Sequence, residues 1–217
     1  MKASKALSVL LSLCLMVFWL SAAVALPILC RPLYYAQIDA LSLPAQTGWD
    51  KTVIRAAYDE VMDYLVGGAP FGTGALKWSE SGKSHFADCR RLFRLDFALL
   101  GLSAVVLAVC GLLCRRKRLS PHRFCGRSPA FWAAAVLTAL FALAAVWAAI
   151  DFGSLFTAFH RVAFPGKSNW IFDARTDEII LILPEAFWAR MGALVLAVSF
   201  GGAWLTAFVC RRRADAR

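Results

Sequence analysis

AFWAAAVLTALFALAAVWAAI, residues Ala130–Ile150, carries no charge and a single hydroxyl. An uncharged apolar run of roughly 18 or more residues crosses a hydrocarbon core about 30 Å thick, so this stretch reads as a transmembrane helix. Three more runs have the same character: Ala6–Leu29, Phe97–Cys114 at the lower length limit, and Met191–Cys210. Of the 217 residues, 60% are hydrophobic and 18% charged. An ordinary soluble domain holds about 45–50% and about 25%, so a soluble fold has very little support.

The formal charge of +10 would suit nucleic-acid binding, but its distribution argues for a membrane instead. Lys2, Lys5, Arg115, Arg116, Lys117, Arg118, Arg123, Arg127, Arg211, Arg212, Arg213 and Arg217 fall on one side of the spans, opposed only by Asp215, a net of +11. The other side holds the remaining 12 basic and 13 acidic residues, a net of −1. A Lys/Arg excess marks the cytoplasmic face. We therefore expect a multi-pass plasma-membrane protein with both termini cytoplasmic, membrane lipids as contacts and no nucleic-acid partner. The first thirty residues have the outline of a signal peptide, with Ala23-Val24-Ala25 as a cleavage motif. Cleavable apolar regions run about 7–15 residues and this one is longer, so a retained span is preferred over cleavage. Cys30 is no lipobox cysteine, because Leu29 stands where a small residue is needed.

The expected architecture is an all-α transmembrane four-helix bundle with a small α+β extracytoplasmic cap formed by two loops. It is one integral membrane domain over 1–217, with spans 6–29, 97–114, 130–150 and 191–210 and a cap from 30–96 and 151–190. In the first loop, Ile54, Ala57, Tyr58, Val61 and Leu65 recur at helical spacing between Asp50, a candidate N-cap, and the stop at Gly67-Gly68. Lys77–Lys83 reads as a polar turn around Gly82, and a helix from Ser84 runs through Arg94 into the second span. In the second loop, Pro165-Gly166 ends the helix carrying His160. Asn169–Asp173 and Glu178–Leu183 read as two short strands. Pro184 and Glu185 suit the first turn of the last helix.

Of three histidines, His122 lies in the basic inner loop, while His85 and His160 fall in the two outer loops. Asp88, three residues from His85, shares its helix face and can orient the ring and favour its charged form. Each histidine alone is an ordinary interfacial residue. Together, entering one small cap, they form a candidate acid/base site, expected to bring the two side chains within about 10 Å. Polar groups at membrane depth are costly and tend to be functional. Serine-hydrolase elbows, phosphate-binding glycine loops and zinc motifs are missing, and no cysteine spacing supports a metal centre. Cys89 as a thiol nucleophile is the weaker reading. Cys30 and Cys89 are expected as free thiols, with a disulfide as the alternative.

At these residues the chain resembles the lipoprotein intramolecular transacylases (Lit), small bacterial four-helix membrane proteins. The family's first block, His-Met-x-Asp-Val-Lys, reads His85-Phe86-Ala87-Asp88-Cys89-Arg90 here, followed by Leu92-Phe93. The second block is matched by Phe159-His160, Val162, Phe164, Asn169-Trp170, Phe172-Asp173 and Pro184-Glu185, and Tyr58–Leu65 is similar to the family's loop helix. Phe86, Cys89, Arg90 and Ala174 depart from the pattern but spare the His and the Asp. The arginine-rich Arg90–Arg94 points to a divergent branch with a different substrate.

The resemblance implies transfer of the sn-2 acyl chain of a diacylglyceryl-cysteine lipoprotein to the α-amine of the same cysteine, leaving an N-acyl lyso-lipoprotein. It implies His85 as base oriented by Asp88, and His160 as a second acid/base or a donor to the ester carbonyl. Arg90, Asn169, Trp170 and Asp173 are implied substrate contacts, the first two towards the oxyanion or glycerol oxygens. Diacylglyceryl-modified lipoproteins are the implied partner, with the site at the extracytoplasmic face and no metal or organic cofactor. The alternatives are a non-catalytic assembly or lipid-sensing protein and an intermolecular lipid acyltransferase.

Overall fold

The computed structural model describes residues 3–215; Lys2 and Arg217, counted above on the basic side, lie outside the described residues. The chain forms α1 (Lys5–Leu29), α2 (Arg31–Ala40), α3 (Leu43–Thr47), α4 (Lys51–Met62), α5 (Glu80–Arg115), α6 (Pro129–Ile150), α7 (Phe152–Ala163) and α8 (Glu185–Asp215). Helices α1, α5, α6 and α8 are long and apolar enough to cross a membrane. They contain the four runs read from sequence.

By contacts the chain divides into two units. One is drawn from the segments up to Val24, from Asp96 to Val146 and from Ala193 onward. Its interior is built of small residues: Ala130, Ala134, Ala203 and Ala207 pack with Leu137, and Leu15, Met16, Trp19 and Trp204 close around them. Lipid tails are as apolar as leucine, so close backbone approach and polar bonds, rather than water exclusion, hold membrane helices together. A Cβ on Gly202 would meet the Trp19 ring at 2.2 Å, which is why α8 carries glycine where α1 presents its tryptophan. Trp19 Nε1 donates to Thr206 Oγ1 (3.1 Å), and Trp204 Nε1 to Thr138 Oγ1 (3.0 Å). The outward leucines, Leu102 at 63% exposure and Leu143 at 71%, suit lipid and would be untenable in water.

The other unit comprises Ala25–Leu95 and Trp147–Gly192. Helix α4 buries Ile54, Ala57, Tyr58 and Val61, as the spacing predicts, and Met62 besides; Leu65 is buried in the turn that follows. Asp50 holds its N-cap with extended backbone; its carbonyl takes the Ile54 N–H at 3.1 Å, and its side chain makes no cap bond. The helix widens into a π turn at Asp63–Gly67 and stops at Gly68, whose φ of 85° favours glycine. Tyr34 of α2 stacks on Tyr58 with ring centroids 3.7 Å apart, and its hydroxyl donates to the Ile182 carbonyl at 2.9 Å. Arg31 ties α2 to Asp59 of α4 and to Asp63 of the π turn.

Two expectations for this unit are corrected. The α+β cap is absent: among the described residues there is no strand, only the isolated bridges Ser4–Pro121 and Phe124–Arg127. Residues 169–171 form a turn and a bend, 172–173 are irregular, and Glu178–Ile182 is a 3-10 helix. The Ile-rich run satisfies its backbone locally, Ile180 N–H to Asp177 and Leu183 N–H to Ile180, so it needs no ladder partner. Gly82 lies inside α5 rather than in a turn.

Candidate active site

Helix α5 starts where Ser79 caps it: Ser79 Oγ accepts the Gly82 N–H at 3.0 Å. Buried Asp177 accepts from Ser79 N–H (2.9 Å) and from its hydroxyl (2.8 Å). A Cβ on Gly82 would sit 2.1 Å from Asp177 Oδ1 and 3.2 Å from the Phe172 ring. Glycine therefore lets the 172–177 segment close onto the first turn of α5. One turn further on, His85 projects from the same helix. Helix α7 is started by Asp151, whose carboxylate accepts the Ser154 N–H at 2.9 Å, and it presents His160 in its last turn before Pro165-Gly166.

The two rings lie 5.9 Å apart, centroid to centroid, inside the separation expected from sequence. Both are buried, at 6% and 7% exposure. Phe164 and Phe172 meet His85 edge-on at 4.8 and 5.4 Å; Phe156 and Trp170 flank His160 at 4.1 and 4.8 Å. Burial, then the neighbouring His160, pushes His85 down to about 4 against the pull of Asp88. Burial likewise lowers His160, although its bond to the Phe156 carbonyl works the other way. Both imidazoles are therefore neutral near pH 7.

Their hydrogen bonds set which nitrogens can work. His160 Nδ1 lies 2.8 Å from the Phe156 carbonyl, which can only accept, so Nδ1 carries the proton and Nε2 the lone pair. His85 Nε2 faces Cys89 Sγ at 3.3 Å, and its buried Nδ1 has no hydrogen-bond partner among the described residues. Burial, reinforced by Asp88, pushes the Cys89 thiol up to about 12, so it stays protonated and is a poor nucleophile. Cys30 and Cys89 are both free thiols.

Asp88 makes no hydrogen bond to His85. Its carboxylate accepts from Lys167 Nζ (2.5 Å), Asn169 Nδ2 (3.1 Å) and Arg91 (3.1 Å). Burial works to raise Asp88, but the Lys167 and Asn169 bonds and the charges of Lys167 and Arg91 outweigh it and hold the carboxyl below its usual value. Asp88 thus fastens the 167–169 segment to α5 and reaches His85 through charge. Asn169 spends its donors on Asp88 and Ser84 Oγ (3.3 Å), leaving its buried Oδ1 as an unpartnered acceptor. Lys167 was missed in the sequence; a lone basic residue after Pro165-Gly166 gives no local signal, and only the fold brings it to Asp88.

Trp170 walls His160 and donates from Nε1 to the Lys167 carbonyl at 3.0 Å. Arg90 lies with its guanidinium 4.9 Å over the Tyr64 ring. Asp173 pairs with Arg175 in an exposed turn, and Arg175 holds its carboxyl down at about 2. Neither Arg90 nor Asp173 makes a bond to the histidine pair. Among the described residues no cluster of His, Cys, Asp and Glu could hold a metal ion.

A family model described as lipoprotein intramolecular transacylase Lit matches residues 9–188. The fold is similar to the solved structure of the membrane integral lipoprotein intramolecular transacylase Lit from Bacillus cereus, with TM-score 0.86 and 22% identity, over 96% of this chain and 94% of that one. A form of that protein with one histidine replaced by alanine matches at 22% identity and TM-score 0.79, over 96% and 92% of the two chains. No curated protein matches the chain by sequence.

Proposed function

The chain belongs to the lipoprotein intramolecular transacylase family, and from that premise we propose that it moves the sn-2 acyl chain of a diacylglyceryl-cysteine to the α-amine of the same residue. It is a multi-pass membrane enzyme acting on lipoproteins. The finer reaction, the residue roles and the sidedness are our reading. We take 1–217 as one integral membrane domain with both termini cytoplasmic and the histidines at the extracytoplasmic face.

The observation that carries the chemistry is the pair of buried neutral imidazoles 5.9 Å apart. The amine nitrogen attacks the sn-2 ester carbonyl, and a base takes its proton as the C–N bond forms. The bond from the carbonyl carbon to the glycerol oxygen then breaks, and that oxygen takes a proton. The products are an amide and a free hydroxyl, with no net proton change. A neutral imidazole can receive the first proton and return it in the second step, and a positioned base of this kind adds about 10²–10⁴-fold. Donor and acceptor sit on one molecule, so proximity can supply about 7–11 kcal/mol of the barrier.

His85 is assigned as the base through Nδ1, the nitrogen not turned to Cys89. His160, with Nδ1–H committed to Phe156, acts through Nε2: it accepts a proton, and donates only once protonated. Asp88 is a positioning residue. Asn169 Oδ1 suits an amine N–H rather than an oxyanion, because its donors are spent. Lys167, carrying the positive charge beside the site, is the better candidate to face the carbonyl oxygen. Trp170 forms an apolar wall.

The test is His85→Ala, purified in detergent and given diacylglyceryl lipopeptide, with acyl position read by tandem mass spectrometry. We expect turnover to fall by at least about 10²-fold with the helical content kept. Turnover like the wild type would remove His85 from the mechanism, and an inactive wild type would favour a non-catalytic role.

A further inference from the structure

Within the unit that holds α6, a cavity of about 340 Å³ is lined by three guanidinium-bearing residues, Arg123, Arg127 and Arg211, and by the rings of Phe131, Trp204 and Phe208. No carboxylate is among its described lining residues. None of the residues placed at the histidine site takes part.

The chain builds this cavity through a tight turn. Cys125 and Gly126 both have positive φ, 49° and 72°, and the Arg127 N–H returns to the Phe124 carbonyl at 2.9 Å. That is the backbone of a two-residue turn, and it sets Arg123 and Arg127 on the same cavity. Trp132 Nε1 pins it by donating to the Phe124 carbonyl at 3.2 Å. The walls are fixed as well: Trp204 donates to Thr138, and the Arg127 guanidinium lies 4.8 Å over the Phe131 ring. Helix α6 begins at Pro129, directly after the turn. The cavity therefore stands at the basic end of an apolar span, which in a bilayer would lie near the headgroups.

We propose that this cavity binds the headgroup of one anionic glycerophospholipid drawn from the surrounding bilayer. The Arg123 and Arg127 guanidiniums take the phosphodiester in two-pronged bonds, and the aromatic wall takes the glycerol and the first part of the acyl chains. Free phosphate would satisfy the arginines and leave three rings uncovered. Basic pockets among membrane helices are suited to anionic headgroups on charge grounds.

Native mass spectrometry of the full-length protein in detergent, titrated with phosphatidylglycerol, phosphatidylcholine or inorganic phosphate, tests the site. One saturable phosphatidylglycerol adduct is expected, with phosphatidylcholine retained much more weakly and inorganic phosphate unable to displace the adduct. Arg123→Gln with Arg127→Gln should weaken it roughly 30-fold, the loss of two basic contacts to an anionic headgroup. Arg115→Gln with Arg116→Gln, an equal charge loss outside the cavity, should leave it unchanged. If the first pair loses helical content, Arg127→Lys carries the test, since it keeps the charge but not the fork and should also weaken binding. Equal retention of the two lipids, equal loss in both charge pairs, an unaffected Arg127→Lys or displacement by inorganic phosphate would each overturn the proposal.

Discussion

His85 and His160 combine burial with neutrality, and this has a consequence for pH. An unfolded histidine titrates near 6.5, whereas His85 in the fold does so at about 4. Between those values the unfolded chain binds protons that the folded chain refuses. The His85 contribution to stability is therefore fully present above pH 6.5 and is lost as pH falls towards 4. The unfolding free energy of the detergent-solubilised protein should drop over that window, by on the order of 3 kcal/mol at most, read as a falling melting midpoint, and His85→Gln should drop less steeply. Parallel pH profiles for the two proteins would contradict the burial argument. The same shift leaves His85 unprotonated from mildly acidic pH upward, so turnover should rise towards the α-amine pKa near 8 rather than break at 6.5. At this scale the histidines and Asp88 stand out in the sequence, but the groups that bond Asp88 do not. Helical spacing put Asp88 beside His85, and it could not show that Lys167 and Asn169, some eighty residues on, compete for the same carboxylate.

Helices were legible where hydrophobicity alone marks them: the four long apolar helices, and α4 with its apolar stripe. Helices α2 and α3 went unread because their composition is mixed, although Pro32 and Pro44, each in a first turn, are the signal that marks such starts. The run Glu178–Ile182 was misread because β-branched residues suit a strand surface and a buried 3-10 turn alike. Only Ile179 and Ile182, three apart and both buried, betray the tighter helix. Gly82 reads as a turn former by residue type, but its role is to admit Asp177 and Phe172. Gly82→Ala should consequently be destabilising by about 1–3 kcal/mol and should lower transacylase turnover, despite the better helix propensity of alanine. A melting midpoint at or above that of the wild type would show that the close approach is not needed.

Across the whole molecule, the asymmetry of +11 against −1 orients the chain in our account and places the histidines outside. A reporter inserted near Gly74 should be accessible from outside the cell, and one fused after Arg217 should register as cytoplasmic; the reverse pattern would remove the site from the outer leaflet. The same chain-wide view frames the reaction, because an intramolecular transfer needs only to hold one amine against one ester, and a compact two-histidine site can do that without a second donor. The most direct test mixes a diacylglyceryl lipopeptide carrying an isotope-labelled sn-2 acyl chain with an unlabelled lipopeptide of different peptide mass. Tandem mass spectrometry then follows the label after turnover by the purified protein. The label is expected on the α-amine of the peptide that first carried it and nowhere else; label on the other peptide's amine, or an sn-2 ester left intact, would contradict intramolecular transfer.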